Sequence, residues 1–426
     1  MKGNPFEHLA IGSADRLQVN SPVTIGARAQ IRVGNLPPSA LDRDNSLPSQ
    51  VMQALRDHLI TARVPRESIR LAGNAIEVDL TGIWPFSVYS VSLADQFWRT
   101  LCADLGDAPI DCGKDRFYPL LHIALSGLSP HEVSQDSIDP IGPGPDPAFE
   151  PCRSAQPLRD DIALCALWLD ELRAGRLRLA FQPVLRIGPR DGGACLYHEA
   201  LLRRTSDSTE SPAAAIQALE RQGLIGRLDW SVLWTVIGLL EIHPDRELAC
   251  NVSALTLRPN AWWRELIRYL CCRRAVASRL LIELTETSPV AHRESALRLM
   301  RELQDIGVRI VLDDMGSGHA ELSALNDARY DVVKIDQSLL RQAQQGPVGR
   351  EILKWITRAC VHGSSCVVIE GVETPDDLRL VQDAGAQAAQ GHFLGKPETN
   401  PEWNFRESCI VPNRLQEYLT DQKPSP

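Results

Sequence analysis

No stretch of this 426-residue chain approaches the ~20 consecutive apolar residues that cross a bilayer, and Met1-Lys-Gly-Asn-Pro-Phe-Glu-His8 lacks the apolar core of a secretion signal. A cytoplasmic protein without a membrane span is therefore expected. Basic residues are also short: 45 Lys and Arg against 54 Asp and Glu leave a formal charge of −9. That balance argues against DNA as a partner, because a general grip on nucleic acid needs a basic face that displaces counterions. An anionic substrate would have to be held locally, by metal or by a few arginines. Missing too is any Cys-x-x-Cys pair among the eleven cysteines. The adjacent Cys271 and Cys272 fit neither zinc spacing nor a disulfide framework, so reduced, packed thiols are expected.

Between Ser129 and Pro157 the chain is rich in Pro, Gly, Asp and Ser. Its centre, Asp139-Pro-Ile-Gly-Pro-Gly-Pro-Asp-Pro147, supports neither a helix nor a central strand and reads as a linker. At ~150 residues per domain the length allows two or three units. The division that follows is a small α+β domain over residues 1–128, a linker over 129–157, a larger domain over 158–412 and a tail over 413–426. In the larger domain Arg159 to Arg173 carries Ile162, Leu164, Leu167, Leu169 and Leu172 at helical spacing and leads into a strand from Leu177 to Ile187. Beyond it, helix candidates around 213–222, 229–242, 262–270, 292–306, 349–362 and 375–384 alternate with apolar runs. Such alternation predicts an α/β fold, a (β/α)8 barrel of ~250 residues from Leu177 to about Pro412.

What stands at the ends of those runs carries the chemistry. Cys195-Leu-Tyr-His-Glu199, Leu248-Ala-Cys-Asn251, Leu280-Leu-Ile-Glu283, Ile310-Val-Leu-Asp313-Asp314, Val332-Val-Lys334, Val367-Val-Ile-Glu370 and Ala388-Ala-Gln390 each finish in a carboxylate, an amide or a lysine. Charged groups are rarely buried unless paired or bound to metal, and barrels carry their sites at the C-terminal strand ends, so the set implies one shared polar centre. Glu199, Asn251, Glu283 and Asp313 offer oxygen ligands suited to a hard cation such as Mg2+ or Mn2+. Asp314 and Glu370 would hold a second ion, with Asp313 bridging. Two such ions generate a hydroxide and stabilise both oxygens of an in-line phosphoryl displacement, which makes a phosphodiester the natural substrate. Lys334 would orient the attacking water or neutralise developing charge, and Gln390 would donate or accept at the rim.

These blocks resemble the EAL-type cyclic di-GMP phosphodiesterases. Glu199-Ala-Leu-Leu-Arg203 resembles the EAL signature, Asn251-Val-Ser253 an Asn-x-Ser element, Glu283-Leu-Thr-Glu286 a Glu-x-Thr-Glu element and Asp313-Asp-Met-Gly-Ser-Gly318 an Asp-Asp-Phe-Gly-Thr-Gly loop. Lys334-Ile-Asp336, Glu370-Gly-Val-Glu373 and Gln390-Gly391 resemble the remaining blocks. The resemblance implies hydrolysis of cyclic di-GMP to linear pGpG, with Glu199, Asn251, Glu283, Asp313, Asp314 and Glu370 as metal ligands. It makes Lys334 the residue that positions water, gives Glu370 a possible share of the general-base role, and has Gln390 complete the site. It further implies that Gln182, Leu202 and Arg203 hold the dinucleotide, with Arg203 suited to a forked phosphate contact. Glu286 and Glu373 would support the ligands, and the barrel would form a homodimer. Departures sit after Asp314, where Met315 replaces Phe and His319-Ala-Glu321 replaces a Tyr-Ser-Ser stretch. A different class of function stays open beside the enzyme: a receptor that binds cyclic di-GMP and passes the signal to a protein partner.

Before the linker, Ala54 to Ile60 reads as a helix, Ser68 to Asp79 as two strands around a turn and Tyr118 to Leu125 as a strand. This order resembles a degenerate GGDEF domain in which Ala72-Gly-Asn-Ala-Ile76 occupies the signature position. Asn74 and Ala75 offer no carboxylate there, so no synthesis of cyclic di-GMP is expected. The segment would serve as a regulatory domain with a possible protein partner, or be an unrelated α+β domain packed on the barrel. Trp230, Trp234, Trp262, Trp263 and Trp355 fall in helical settings that suit core or interface packing over base stacking.

Overall fold

The computed structural model describes residues 28–36, 46–62, 64–80, 105–112, 115–126, 155–188, 193–206, 211–285, 293–317 and 329–399. Its N-terminal elements are β1 (Arg28–Val33), α1 (Ser46–Thr61), β2 (Ile69–Ala72), β3 (Ala75–Asp79), β4 (Ile110–Cys112), β5 (Asp115–Phe117) and β6 (Leu121–Ser126). In β1 the alternation of Arg28, Gln30 and Arg32 with Ala29, Ile31 and Val33 buries one face only, as the two-residue period of a strand requires. The resulting antiparallel sheet has the order β2-β3-β1-β6. Gly73, at φ +61°, makes the turn between β2 and β3. The helix and the strand pair expected from the sequence are thus present, and the last strand starts at Leu121 rather than Tyr118.

The larger unit opens with α2 (Ala155–Arg173), which takes in the last three residues assigned above to the linker. Pro157 is tolerated there because it falls in the first turn, where backbone N–H groups have no helical partner. After α2 come β7 (Leu177–Arg186) and β8 (Cys195–Arg204), then α3 (Ala213–Arg221), α4 (Ile225–Ile242), β9 (Leu248–Ser253), α5 (Ala261–Cys271), α6 (Arg274–Ala277) and β10 (Leu280–Thr285). The chain continues through α7 (Arg293–Asp305), β11 (Arg309–Met315), β12 (Tyr330–Ile335), α8 (Gln337–Gln345), α9 (Pro347–Gly363), β13 (Ser364–Ile369), α10 (Pro375–Ala384) and β14 (Ala388–Ala389).

Strands β7 to β14 close an eight-stranded barrel. One departure from strict alternation stands at its start. β7 and β8 pair antiparallel, from Leu177 opposite Arg204 to Leu185 opposite Cys195, and β7 is also antiparallel to β14. The connection over residues 187–194 is shorter than the dozen or so residues that a parallel crossover needs, so a hairpin replaces a βαβ unit. Helix α8 was not evident in the sequence, because Leu339, Leu340 and Ala343 are its only buried residues among glutamines. Helix α10 was, and it has a full set of punctuation: a Thr374–Asp377 capping box, Pro375 in the first turn and Gly385 at φ +88° after the end.

Two residue sets fill the barrel. The lower one is apolar and fully buried: Val184, Tyr197, Ala249, Leu281, Val311, Val332, Val368 and Ala388. Two residues away on the same inward face of each strand stands a polar residue, so the plug is the floor on which the site rests. Tyr197, its largest member, buries a hydroxyl that makes no hydrogen bond among the described residues. Tyr197→Phe should therefore change stability by less than about 1 kcal/mol or raise it, whereas Tyr197→Ala should cost about 3–5 kcal/mol by leaving a cavity. Urea unfolding midpoints measured on the two variants would check both expectations.

Candidate active site

The polar residues above the plug are Gln182, Glu199, Asn251, Glu283, Asp313, Lys334, Glu370 and Gln390, one from each strand or the residue just after it. Lys334 is the hub. Its ammonium, buried to 1% exposure, lies 3.1 Å from Glu199, 2.9 Å from Glu283, 3.2 Å from Asp313 and 2.7 Å from Glu370. Glu199 is further fixed by donation from Asn251 Nδ2 at 2.9 Å and from Gln390 Nε2 at 2.7 Å. Gln390 Nε2 also donates to Gln182 Oε1 at 3.1 Å, and Gln182 Nε2 donates to the Gly395 carbonyl at 3.0 Å. Every group is held by another strand, which fixes rotamers before any ligand arrives.

Asp313 and Asp314 pose a geometric problem, since neighbours on a regular strand face opposite sides of the sheet. The backbone resolves it. Pairing of β11 with β12 shifts register between Leu312 and Met315, and Asp314 adopts φ +56°, the only left-handed non-glycine among the described residues. Asp is one of the few side chains that tolerate this region. As a result oxygens of Asp313, Asp314 and Glu370 lie within 4.8 Å of one another.

Electrostatically the centre has too much negative charge. One lysine faces the carboxylates of Glu199, Glu283, Asp313 and Glu370, with Asp314 beside them. Burial, with repulsion from neighbouring acids, holds Glu283 well above the ordinary carboxylate range, raises Asp313, and pushes Asp314 to about 6 and Glu370 to about 8. Glu199 alone goes down: burial opposes its ionisation, but Lys334, Gln390 and Asn251 outweigh that cost. Burial likewise works against the Lys334 charge, and Asp313, Glu199, Glu283 and Glu370 overcome it and hold the ammonium well above its usual range. Glu283 Oε1 is buried and accepts no hydrogen bond among the described residues. Buried, converging carboxylates short of positive charge are the donor set of a hard divalent cation.

The centre opens into a cleft of about 650 Å3. Leu202 and Arg203 line it, Arg203 donating to the Leu202 carbonyl at 2.7 Å. Glu373 is exposed at the rim, where its backbone N–H, rather than its side chain, is engaged by Asp377. Glu286 and His319 to Glu321 lie outside the described residues. Two acids that the sequence reading did not single out also line the cleft. Asp229 accepts from Ser253 N at 3.0 Å and Thr256 Oγ1 at 3.2 Å, and Glu220 accepts from Ser253 Oγ at 2.7 Å. For Asp229 the signal was present: α4 is apolar nearly all round, so a carboxylate inside it has to be paired or face a cavity. The tryptophans divide between the two settings expected for them, Trp230, Trp234 and Trp263 being buried in the core while Trp355 is 72% exposed on α9 and so not part of it.

An EAL domain model matches residues 167–397, more than half of the chain. The chain belongs to the EAL domain family. This EAL protein is 27% identical over 247 residues to the cyclic di-GMP phosphodiesterase PdeF of Escherichia coli, covering 57% of this chain and 32% of that one. It is 30% identical over 232 residues to the uncharacterized protein y4lL of Sinorhizobium fredii, covering 53% and 27% respectively. The FimX EAL domain from Pseudomonas aeruginosa, solved bound to c-di-GMP, superposes with a TM-score of 0.48 at 22% identity over 55% of this chain and 96% of that one. The chain thus spans only 27–32% of the length of these two curated relatives.

Relieving the cost of burying Glu283 among other acids should stabilise the metal-free protein. Glu283→Gln is expected to melt higher than wild type in EDTA and to lose most of the melting-temperature increase that wild type gains on adding Mg2+ or Mn2+. Asp229 gives a pH signature away from the ion centre. Burial raises it to about 7, so the neutral form is favoured in the fold. Its contribution is full below about pH 4, the unfolded value, and is lost as pH rises through 7. Asp229→Asn should flatten that part of the stability profile; an unchanged slope between pH 4 and 8 would count against it.

Proposed function

We propose that this EAL protein hydrolyses one phosphodiester bond of cyclic di-GMP, giving linear pGpG and lowering the second messenger. The observation that carries the reading is the convergence of eight polar residues from eight barrel strands on one buried, acid-rich centre at the base of a cleft. Its kinship with proteins named cyclic di-GMP phosphodiesterases supports the choice of substrate.

Glu199, Asn251, Glu283 and Asp313 would hold one divalent cation, and Asp313, Asp314 and Glu370 a second. Two Mg2+ or Mn2+ ions would supply an activated water and charge neutralisation at the phosphoryl oxygens. The chain's own part is positioning and electrostatics. Lys334 keeps its proton and presents a fixed positive charge where negative charge develops. Arg203 has N–H donors beyond the one given to the Leu202 carbonyl that would meet a phosphate oxygen at the mouth, and Gln182 and Leu202 would fix the dinucleotide beside it. Further up, an apolar wall of Ile225, Leu228 and Val232 carries the acceptors Glu220 and Asp229, a surface suited to a purine that presents N–H donors. Residues 1–128 would form a regulatory domain, a degenerate GGDEF domain by its strand order, joined by the 129–157 segment to the 158–412 barrel.

Chromatography of cyclic di-GMP incubated with the purified protein and Mg2+ or Mn2+ tests this reading. Linear product is expected with wild type, with none in EDTA and a loss of at least about a hundredfold in Glu199→Ala. Equal rates for wild type and Glu199→Ala would overturn the site. Tight binding without product would make the protein a receptor.

A further inference from the structure

The N-terminal sheet and the barrel meet at the back of the cleft wall. Helix α2 belongs to both cores: Leu158 and Ile162 pack with the N-terminal sheet, whereas Trp168, Leu169 and Leu172 pack with the barrel. Tyr118, from the strand end before β6, packs into the barrel core and donates its hydroxyl to Asp170 of α2 at 2.6 Å. The wall, α3 and α4, is tied to this junction by one arginine on each helix. Arg221, next to cleft-lining Glu220, forms a forked pair with Asp161 of α2 at 2.7 and 2.8 Å. Arg227, next to cleft-lining Leu228, donates to the Pro119 carbonyl at 2.8 Å, lies 3.9 Å from Asp107 and covers the Tyr118 ring at 5.9 Å.

Arg227 is poorly compensated for its burial. Its side chain is 13% exposed, and Nη1 is buried without a hydrogen bond among the described residues. Among the described residues its compensation is one carbonyl, one distant carboxylate and one aromatic ring, and a guanidinium taken out of water for these contributes little net stability. Its contacts nonetheless specify how the N-terminal segment sits against the start of α4. A weakly held but specific contact lets a modest push on one side move the other.

We propose that Arg227 is a positioning residue through which the N-terminal domain sets the α3–α4 wall of the cleft, so that displacing residues 105–120 alters affinity for the dinucleotide while leaving the ion centre intact. The inference rests on the cyclic di-GMP reading above for its ligand, but not for its mechanics.

Arg227→Met keeps the volume and removes the charge and the bond to Pro119. Gly106→Ala acts from the other side, because a Cβ there would stand 3.2 Å from Arg227 Nη2 and crowd it. In the full chain both variants should raise KM for cyclic di-GMP, or Kd in Ca2+ or EDTA, by about threefold to tenfold with kcat changed less than about twofold. A merely structural role would instead lower the active fraction, and so kcat, at unchanged KM. Hydrogen exchange without ligand gives the independent reading: amides of residues 225–232 should exchange faster in both variants. Unchanged exchange and unchanged KM in folded Arg227→Met would overturn the coupling. A wild type that neither binds nor cleaves cyclic di-GMP, with exchange still accelerated in the variants, would overturn the substrate and leave the coupling standing.

Discussion

Everything at the mouth of this barrel depends on one ammonium among buried carboxylates. Lys334 lies within 3.2 Å of four acids drawn from four strands, and each of those acids would be too costly to bury alone. The lysine offsets part of that cost and leaves a deficit of positive charge. The deficit is what a divalent cation would fill, so stability and function oppose each other there. The apolar plug beneath, with Tyr197 its largest side chain, excludes water from below and keeps the local dielectric low, which strengthens both the repulsion and the attraction of any ion that relieves it.

Much of this was legible in the chain. A strand buried on both faces should read as an apolar run, and a polar residue at the end of each such run marks the catalytic rim of a barrel; Glu199, Asn251, Glu283, Asp313, Lys334, Glu370 and Gln390 were found that way. Sequence could not reveal how neighbours Asp313 and Asp314 face one centre, because the answer lies in a register shift and a left-handed φ that only the backbone shows. Nor could it show β7 running against its neighbours, since a strand's residue pattern is the same in either direction. Glu220 and Asp229 were missed because helical acids are ordinarily solvated; the apolar run of α4 distinguishes Asp229, whereas Glu220, near the end of α3, has no such mark in its sequence.

The N-terminal part illustrates a different limit. Its strands announce themselves by alternation, yet the junction with the barrel is made by residues that look unremarkable in sequence: an arginine in the first turn of a helix, a tyrosine before a strand, a glycine in a short helical turn. Their meaning is relational. Helix α2 makes the two cores share a single rigid rod, so the two units cannot move apart without exposing Trp168 on one side or Ile162 on the other.

The hairpin that opens the barrel carries a thermodynamic corollary. Glu199 and Arg203 stand on one strand, with Gln182 directly across from Glu199, so a proposed ion ligand and the proposed substrate-holding groups share one local piece of backbone. Whatever shifts that ribbon shifts all three together. On the proposed function, the free energies of binding an ion and binding a dinucleotide would not be separable quantities: each would change the other by the same factor, and the ion supply of the cell would become part of how sensitively the protein responds to the dinucleotide.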